Sequence, residues 1–519
     1  MHKNLKKYLF FFISSIFLIF VSYRYFLYSV SFAFVDEYDN VVAGYFMSKG
    51  YSLFSQIFHN RQFGMVFISY VLQVITKPES LYSLILVHRL SIIFFSFAFF
   101  LLLSVRFGII GMVFSVLFEV LKFFLFGNLF LAESFIVYPV VYFFLLYFDD
   151  KKEISLLEQI FIVVSFIFVV FMREVYIPLA LFLFIALLVR YKKFNKSFLF
   201  IGLVIAISFV FKFIDLKEYY YQLVKLNSLR LVPDSKHFEG VNIISSLFYF
   251  IILLFKGPWN DFRIISVAYS LLFILSLIFL LLKNKEKIAL FMFIALSLAA
   301  IRTIEPGKPF YGTYRLIQFY ALLISSILVS IIIFRRFKIK MGRPIEILLI
   351  AVFFFSVFNK SSFLFTKIDR NKEFNIAYNR YFVGGEVIKL LKKDNDKLFV
   401  DGYDSLLFYT SQAKPSFKYV FYYPVMINVK MYEKEKNEMF ITNKPSFYFI
   451  DCISRSTAKI PKIVEREYVQ FSYDRTKGDT CLYISKEKAY TIDPEQLNKI
   501  AKTYGYFLNL SPKNDLKYQ

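Results

Sequence analysis

Cysteine, histidine and charged side chains are scarce in this 519-residue chain. It contains two Cys and four His, and Asp, Glu, Lys and Arg together make up 19% of the sequence. Two cysteines exclude a disulfide-rich framework, and the histidines lack the paired spacing of a zinc or other transition-metal site. The sequence also lacks a glycine-rich loop of the kind that cradles a nucleotide phosphate. It therefore predicts no cofactor, and a divalent metal has no support in it.

Hydrophobic residues are correspondingly abundant. They make up 58% of the chain, with 71 Phe and a mean hydropathy of +0.56, far outside the range of soluble proteins. The net charge of +24 comes from basic residues beside apolar segments, where they orient the chain in a bilayer and contact lipid headgroups. We therefore predict a multi-pass protein of the cytoplasmic (inner) membrane that contacts membrane lipids and binds no nucleic acid.

Apolar runs and basic clusters together predict the topology. The first run, 8–33, follows three lysines and should remain as a transmembrane helix with its N-terminus inside. If every run crossed, the basic clusters could not all lie on the inner side. The short run 63–76 is therefore expected to be interfacial or re-entrant, and 243–256 half-inserted. About eleven crossings remain, with the C-terminus outside.

Three acids stand directly after the first apolar run. Asp36, Glu37 and Asp39 lie where the bilayer gives way to water, and a carboxylate costs free energy at that depth. A cluster of acids at a helix mouth therefore indicates a functional site, although a solvated acidic loop is the plain alternative.

Two amphipathic pieces follow the acids, separated by a turn at Lys49-Gly50-Tyr51, and the second reaches His59 and Arg61. An acidic pair after the first transmembrane helix, a glycine turn and a His before a short apolar helix resemble the first extracytoplasmic loop of the GT-C superfamily. These polytopic glycosyltransferases include the protein O-mannosyltransferases and the bacterial aminoarabinose and lipid-linked sugar transferases. The resemblance implies that Asp36 is the catalytic base, with Glu37 beside it.

Charged residues of other loops are expected to join this site on the outer face. Those predicted to bind the acceptor or donor are Asp39, His59, Arg61, Arg89, Glu133, Arg173 and Glu174. A second set lies where relatives in the resembling superfamily bind the phosphate of a polyprenyl carrier: Arg302, Lys308, Tyr311, Tyr314 and Arg315. Cations and phenols at membrane depth suit a phosphate. For each residue alone, a snorkelling side chain or a local ion pair is the alternative.

The composition becomes that of a soluble domain from Asn359 onward. We predict a transmembrane GT-C-like catalytic module at 1–358 and an extracytoplasmic α/β domain at 359–519. Its predicted helices are 374–393, 405–411 and 424–440, and its predicted strands are KLFVDG, PSFYFID, EYVQFSYD and TCLYIS. A disulfide between Cys452 and Cys481 and two buried free thiols are both compatible with the sequence.

The predicted fold class is therefore an α-helical polytopic membrane protein, GT-C-like, with a C-terminal extracytoplasmic α/β domain. The expected function is that of an inverting hexosyl or pentosyl transferase. It would move a sugar from a polyprenyl-phosphate-linked donor to a glycan, lipid or protein acceptor on the outer face. A polysaccharide polymerase or ligase and a transporter or flippase of lipid-linked sugars remain alternatives. A transporter needs charged residues deep in its helices, for which Glu119 and Lys122 are the nearest candidates.

Overall fold

The computed structural model describes residues 2–151, 153–225, 243–257, 259–302, 310–338, 342–421, 430–450, 460–473 and 479–508. Helices dominate the part before residue 359. They are α1 (His2–Tyr28), α2 (Val35–Ser48), α3 (Gly64–Thr76), α4 (Leu81–Phe107), α5 (Ile109–Phe124), α6 (Ala132–Tyr147), α7 (Leu156–Met172), α8 (Ile177–Arg190), α9 (Lys196–Phe213), α10 (Leu216–Tyr220), α11 (Ile243–Leu247), α12 (Tyr249–Phe255), α13 (Asp261–Leu282), α14 (Glu286–Ala299), α15 (Ile317–Arg336) and α16 (Gly342–Phe358). Two 3₁₀-helices, Glu174–Tyr176 and Phe310–Leu316, and a π-helical turn, Tyr221–Lys225, connect them.

Length and composition identify the helices suited to a bilayer. Within the described residues, four are long and apolar enough to cross a membrane: Lys7–Tyr28, Leu81–Phe107, Asp261–Leu282 and Gly312–Arg336. The last of these is almost wholly buried and forms the centre of the bundle. Helices α1 and α4 expose Leu, Ile, Val and Phe side chains outward, which suits contact with lipid. The number of crossings stays a prediction.

The two runs expected not to cross are both short. Helix α3 has 13 residues, so it is about 20 Å long, against a hydrocarbon core of about 30 Å. It lies along α2, and Gln73 donates a hydrogen bond to the Val41 carbonyl (2.9 Å). The second run is broken into α11 and α12 at Phe248. That neither run spans the bilayer stays a prediction.

A tight hairpin of α4 and α5 supports the first loop. Gly108 joins the two helices with a φ of +63°, a backbone conformation that favours glycine. Gly111 lets the helices approach closely, because a Cβ there would lie 2.2 Å from the Leu103 carbonyl oxygen. The hairpin brings the first half of α4 beneath the loop between α1 and α2.

A six-stranded mixed sheet forms the C-terminal layer within the described residues. Its strands are β1 (Lys397–Asp401), β2 (Lys414–Pro415), β3 (Phe447–Ile450), β4 (Tyr468–Tyr473), β5 (Asp479–Ser485) and β6 (Tyr506–Leu508), in the order β2-β1-β3-β5-β4-β6. Strands β2, β1 and β3 are parallel, with Leu398 beside Phe447, and the others pair antiparallel. The helices of this layer are α17 (Arg370–Leu391), α18 (Leu406–Ser411), α19 (Lys430–Thr442), α20 (Lys462–Glu467), α21 (Lys486–Ala489) and α22 (Pro494–Tyr504). The four strands expected from the sequence are confirmed, whereas β2 and β6 are too short to have been recognised.

The C-terminal layer packs directly on the first loop of the helical part. The ring of Tyr38 in α2 contacts that of Tyr381 in α17, with ring centres 5.6 Å apart. The backbone N–H of Phe58 donates to the Lys418 carbonyl (3.0 Å), and the Tyr409 hydroxyl donates to the Pro78 carbonyl (2.5 Å). The loop that carries the acids is therefore enclosed between the helices and the sheet layer.

Candidate active site

One buried arginine holds the loop between α1 and α2. Arg89 of α4 donates hydrogen bonds to the carbonyls of Ser31 (2.6 Å) and Phe32 (2.9 Å) and pairs with Glu37 (2.5 Å). Phe32 has a φ of +59°, a left-handed conformation that costs free energy for a bulky residue. Arg89 thus stabilises the strained path that places Asp36 in the first turn of α2, where the helix dipole favours a carboxylate.

Asp36 is bound on both of its oxygens. Oδ1 accepts a hydrogen bond from Arg61 (2.6 Å) and Oδ2 accepts one from the Tyr314 hydroxyl (2.7 Å), while Asp39 lies 3.4 Å from the same guanidinium. Burial raises the pKa of Asp36, but the charge of Arg61, both hydrogen bonds and the charge of Arg173 outweigh burial and hold that pKa well below its usual range. The carboxylate is therefore ionised at neutral pH, and its side chain keeps 24% exposure.

A small polar pocket adjoins Asp36. Its volume is about 10 Å³, the room of about one water molecule. Its polar lining consists of Asp36, Asn40, Arg61, Gln62, Glu133, Arg173 and Tyr314. The structure thus brings together charged side chains of the first loop, the start of α6, the end of α7 and the 3₁₀-helix Phe310–Leu316. Asn40 and Gln62 were not named from the sequence, because neutral amides in an amphipathic stretch give no signal there.

Several arginines lie around this pocket. Arg173 lies 3.4 Å from Glu133 and next to Glu174; burial lowers the pKa of Arg173, but the two carboxylates outweigh burial and raise it. Burial and the positive charges of Arg173 and Arg315 lower the pKa of Arg302. Arg173 and Arg315 therefore lie close enough to Arg302 to repel its charge. Guanidinium groups gathered in this way are suited to a phosphate, which they bind through charge-assisted hydrogen bonds.

Glu37 and Arg89 do not line the pocket, although both were expected at the site. Glu37 is fully buried, and its Oε1 accepts hydrogen bonds from Arg89 (2.9 Å) and from the backbone N–H of Phe130 (2.9 Å). Arg89 is equally buried and also donates to the Tyr378 hydroxyl (3.1 Å). The geometry makes this pair a clamp between α2, α4 and the sheet layer, with no surface left for a substrate.

His59 does not line the pocket either. It is buried near the rings of Phe54 and Phe421, with ring centres 6.3 and 6.2 Å away, and its backbone N–H donates to the Gln222 side chain (2.9 Å). Burial lowers the pKa of His59 to about 3, and the charges of Arg61 and Arg173 add to the effect. The imidazole is therefore neutral at physiological pH.

Two residues predicted for the phosphate site lie outside the described residues, wholly or with their side chain. Lys308 and the side chain of Tyr311 lie outside the described part of the chain. Cys481 is buried and disulfide-bonded. The other cysteine of the sequence, Cys452, lies outside the described residues. Within the described ranges, His, Cys, Asp and Glu side chains form no group of three that could hold a metal ion.

A second cavity of about 930 Å³ lies beside the small pocket. Between the two stands an aromatic wall, Phe32, Phe34, Phe126 and Tyr314, whose neighbouring rings are 5.3 to 6.0 Å apart. Tyr314 lines the small pocket, whereas Thr313 and Leu316 of the same 3₁₀-helix line the large cavity. The surface of the large cavity is mostly apolar, and its lining also includes charged side chains of both signs: Lys256, Asp261, Arg263, Lys367 and Glu373. Sequence reasoning missed this cavity, because its walls come from many separate segments.

Glu119 and Lys122, the charged candidates deep in the helices, belong to a closed network. Lys122 is fully buried and donates to Ser96 (2.8 Å) and Tyr138 (2.6 Å), with Glu119 3.5 Å away. The Tyr138 hydroxyl donates to Glu119 in turn. The network joins α4, α5 and α6, and its members partner one another.

Comparison with known proteins shows the fold of this chain. Neither a protein-family model nor a curated protein matches the sequence. The crystal structure of ArnT from Cupriavidus metallidurans in the apo state is similar to it, with a TM-score of 0.50 and 9% identity over 93% of this chain and 98% of that chain. ArnT is an aminoarabinose transferase, a GT-C glycosyltransferase. The chain therefore has the GT-C-like membrane fold, which confirms the predicted fold class.

Proposed function

We propose that this chain is an inverting GT-C-type glycosyltransferase that moves a hexosyl or pentosyl group from a polyprenyl-phosphate donor to an acceptor hydroxyl. The GT-C-like fold supports the general class. The single observation that carries the proposal is the position of Asp36. Its ionised carboxylate lies near Arg61 and Arg173. The Tyr314 hydroxyl donates a hydrogen bond to it, and the 3₁₀-helix that carries Tyr314 also borders the large, mostly apolar cavity.

The donor would use both cavities. An isoprenoid tail is apolar and is suited to the 930 Å³ cavity, whose lining is mostly apolar. Its phosphate would lie beside Arg302 and Arg315, the second of which belongs to the 3₁₀-helix Phe310–Leu316. A guanidinium binds phosphate through charge-assisted hydrogen bonds. The sugar would then extend past Tyr314 toward Asp36.

Asp36 would act as the general base. As the acceptor oxygen forms its bond to the anomeric carbon, its proton passes to the Asp36 carboxylate. The bond between the anomeric carbon and the phosphate oxygen breaks, and the lipid phosphate leaves with the electron pair. Arg302 and Arg315 stabilise the negative charge that develops on the leaving phosphate. Attack opposite to the leaving group inverts the anomeric centre.

Arg61 would have to move for the acceptor to reach Asp36. It occupies Oδ1 of that carboxylate at 2.6 Å, and the pocket between them holds about one water molecule. Asp39 lies 3.4 Å from the same guanidinium. It can therefore remain the partner of Arg61 once the acceptor has displaced Arg61 from Asp36. Glu133, Arg173 and Glu174 would orient the acceptor from the opposite side of the pocket.

We further propose that the sheet layer, as part of an extracytoplasmic domain at 359–519, covers the site from the outer side of the membrane, with 1–358 as the catalytic module. The disulfide of Cys481 supports this orientation, since such bonds persist in oxidising compartments. The transporter alternative is not favoured, because the deep charges Glu119 and Lys122 satisfy one another within a buried network.

Donor consumption by the purified protein tests the proposal. Short-chain polyprenyl-phosphate sugars and nucleotide sugars are offered with a mixture of cell-envelope acceptors, and the release of polyprenyl phosphate from the first and of nucleotide from the second is measured. We expect release from at least one lipid-linked sugar and none from the nucleotide sugars. Transfer from a nucleotide sugar, or membrane translocation of an intact lipid-linked sugar without its cleavage, would overturn the proposal.

A further inference from the structure

A third cavity lies at the opposite end of the helices. Its volume is about 490 Å³. We call it the basic cleft, because four cations line it: Arg106, Arg190, Lys285 and Arg336. They stand at or next to the ends of α4, α8 and α15 and at the start of α14.

The basic cleft is about one membrane thickness from Asp36. Helix α6 begins at the Asp36 pocket with Ala132 and ends at the cleft with Tyr147, about 22 Å away at the usual rise of a helix. Helix α15 begins at Ile317, just after Arg315, and reaches the cleft at Arg336, about 28 Å away. A bilayer core is about 30 Å thick. The cleft therefore lies at the other membrane boundary and takes no part in the proposed transfer.

Two of the four cations are already neutralised. Arg106 pairs with Asp149 (2.8 Å) and Glu158 (2.6 Å), and Arg336 donates to both carboxylate oxygens of Asp150. These pairs fix the rim of the cleft, and their three carboxylates exceed their two cations by one, so they offer no attraction for an anion. With Arg190 and Lys285 included, the four cations exceed the three carboxylates by one.

The other two cations keep their charge for a ligand. Lys285 lies over the ring of Phe337, with Nζ 4.1 Å from the ring centre. Arg190 donates to the backbone carbonyl of Asp149 and lies over the ring of Tyr147. Among the described residues, neither Arg190 nor Lys285 forms an ion pair with a carboxylate. Two unneutralised cations on one cleft attract a negatively charged group.

Apart from Asp149 and Asp150, which pair with Arg106 and Arg336, the rest of the lining is apolar or aromatic. Ile110 of α5, Ile288 of α14 and three side chains of α15, Val329, Ile332 and Ile333, form a wall between the cations and the helices. A small soluble anion gains nothing from such a wall. A molecule with both a phosphate and a hydrocarbon chain is complementary to the cations and to the wall at once.

We propose that the basic cleft binds an anionic phospholipid, with its phosphodiester headgroup on Arg190 and Lys285 and its acyl chain along the apolar wall of α15. The cleft lies at a membrane boundary, where such lipids present their headgroups at the height of these cations. This lipid is distinct from the polyprenyl donor, which would enter at the opposite end of the helices.

Lipid binding by the delipidated full-length protein in neutral detergent tests this inference. Phosphatidylglycerol and phosphatidylcholine are titrated in parallel and the bound lipid is counted by native mass spectrometry. We expect phosphatidylglycerol to bind more tightly, and Arg190→Gln with Lys285→Gln to weaken its binding roughly 30-fold, because each cation near a headgroup contributes about fivefold. Lys285→Gln alone should weaken binding about fivefold. Within the protein, Lys285→Gln loses only the contact of Lys285 with the Phe337 ring, so this variant should fold. It therefore tests the inference even if the double variant does not fold.

Two matched variants control for charge and fold. Lys192→Gln with Lys283→Gln removes two exposed cations next to the ends of α8 and α13 that do not line the cleft, and it should leave the affinity unchanged. Arg190→Lys with Lys285→Arg keeps the charge and should retain binding. Equal affinity for the two lipids, or an equal effect of the two charge-removing pairs, would overturn the inference. Full displacement of the lipid by inorganic phosphate would also overturn it, since the cleft would then be a site for a free anion.

Discussion

The two faces of α2 carry neighbouring carboxylates in opposite surroundings. On one face, Asp36 meets Arg61 and Tyr314 at the edge of a pocket, and its side chain keeps 24% exposure. On the other face, Glu37 is wholly enclosed and is bound by Arg89 and a backbone N–H. One residue turns a helix by about 100°. That rotation leaves Asp36 accessible to a substrate and buries Glu37, which can only contribute to stability.

The two faces differ in what a lost charge would do. Removing the charge of a buried pair leaves its partner uncompensated in a medium of low polarity, so the fold loses stability. Removing the charge of Asp36 leaves Arg61 within reach of Asp39 and of solvent, so the fold should survive while the chemistry fails. Stability and activity should therefore separate cleanly between the two positions.

The largest expected effect is that of Glu37→Gln on stability. It leaves the Arg89 charge buried without a counterion, at a cost of about 3–5 kcal/mol. We expect most of the protein to be lost on extraction, or its thermal midpoint in detergent to fall steeply. Asp36→Asn is the matched control, with the same chemical change one residue away, and should keep a midpoint close to wild type. Equal midpoints for the two variants would contradict the distinction between the faces.

Arg315→Ala tests the charge that faces the proposed leaving phosphate. Loss of a charge-assisted contact of about 1.5–3 kcal/mol should weaken donor binding roughly 10- to 150-fold. The equilibrium affinity for a non-transferable polyprenyl-phosphate analogue measures the effect directly. Arg89→Lys should leave that affinity unchanged in whatever fraction folds, because the Arg89 guanidinium is bound by Glu37 and by the carbonyls of Ser31 and Phe32. An unchanged affinity in Arg315→Ala would remove this residue from the donor site.

His59 provides the smallest effect, a change in the pH dependence of stability. Its pKa in the folded protein, about 3, lies below the ordinary value of 6.5, so the unfolded chain binds a proton first as the pH falls. Stability should therefore decline below pH 6.5, by up to about 1.4 kcal/mol per pH unit from this group. His59→Gln should flatten the decline between pH 6.5 and 4.5, as measured by thermal midpoints. A slope equal to that of wild type would show that His59 is not buried as a neutral ring.

The sequence was sufficient for the fold class and for part of the site. Hydropathy identified α1, α4 and α13, and the acids at a helix mouth pointed to Asp36. It could not separate Asp36 from Glu37, because the rotation of α2 is decided by packing against α4 and α17, far away in the chain. The same limit applies to Arg89, because a charged residue on an apolar helix indicates function or a buried clamp equally well.

The sequence did not predict the cavities. The large cavity is enclosed by α1, α5, α13, α15 and the segment before α17, and no local pattern records that these segments diverge. The nearest signal was the end of the run 243–256, where the sequence continues with Gly and Pro, which disfavour a continuous helix. Strands β2 and β6, of two and three residues, are below the length at which alternation can be recognised.

The rate of sugar transfer by Asp36→Asn, measured together with donor affinity in the same preparation, tests the central claim most directly. The substitution keeps the size of the side chain but removes the basic carboxylate. Transfer should therefore fall by about 10²-fold or more, the usual contribution of a general base, while the dissociation constant of the donor stays within about twofold of wild type. Transfer at the wild-type rate by a folded Asp36→Asn protein would contradict the assignment of Asp36 as the base.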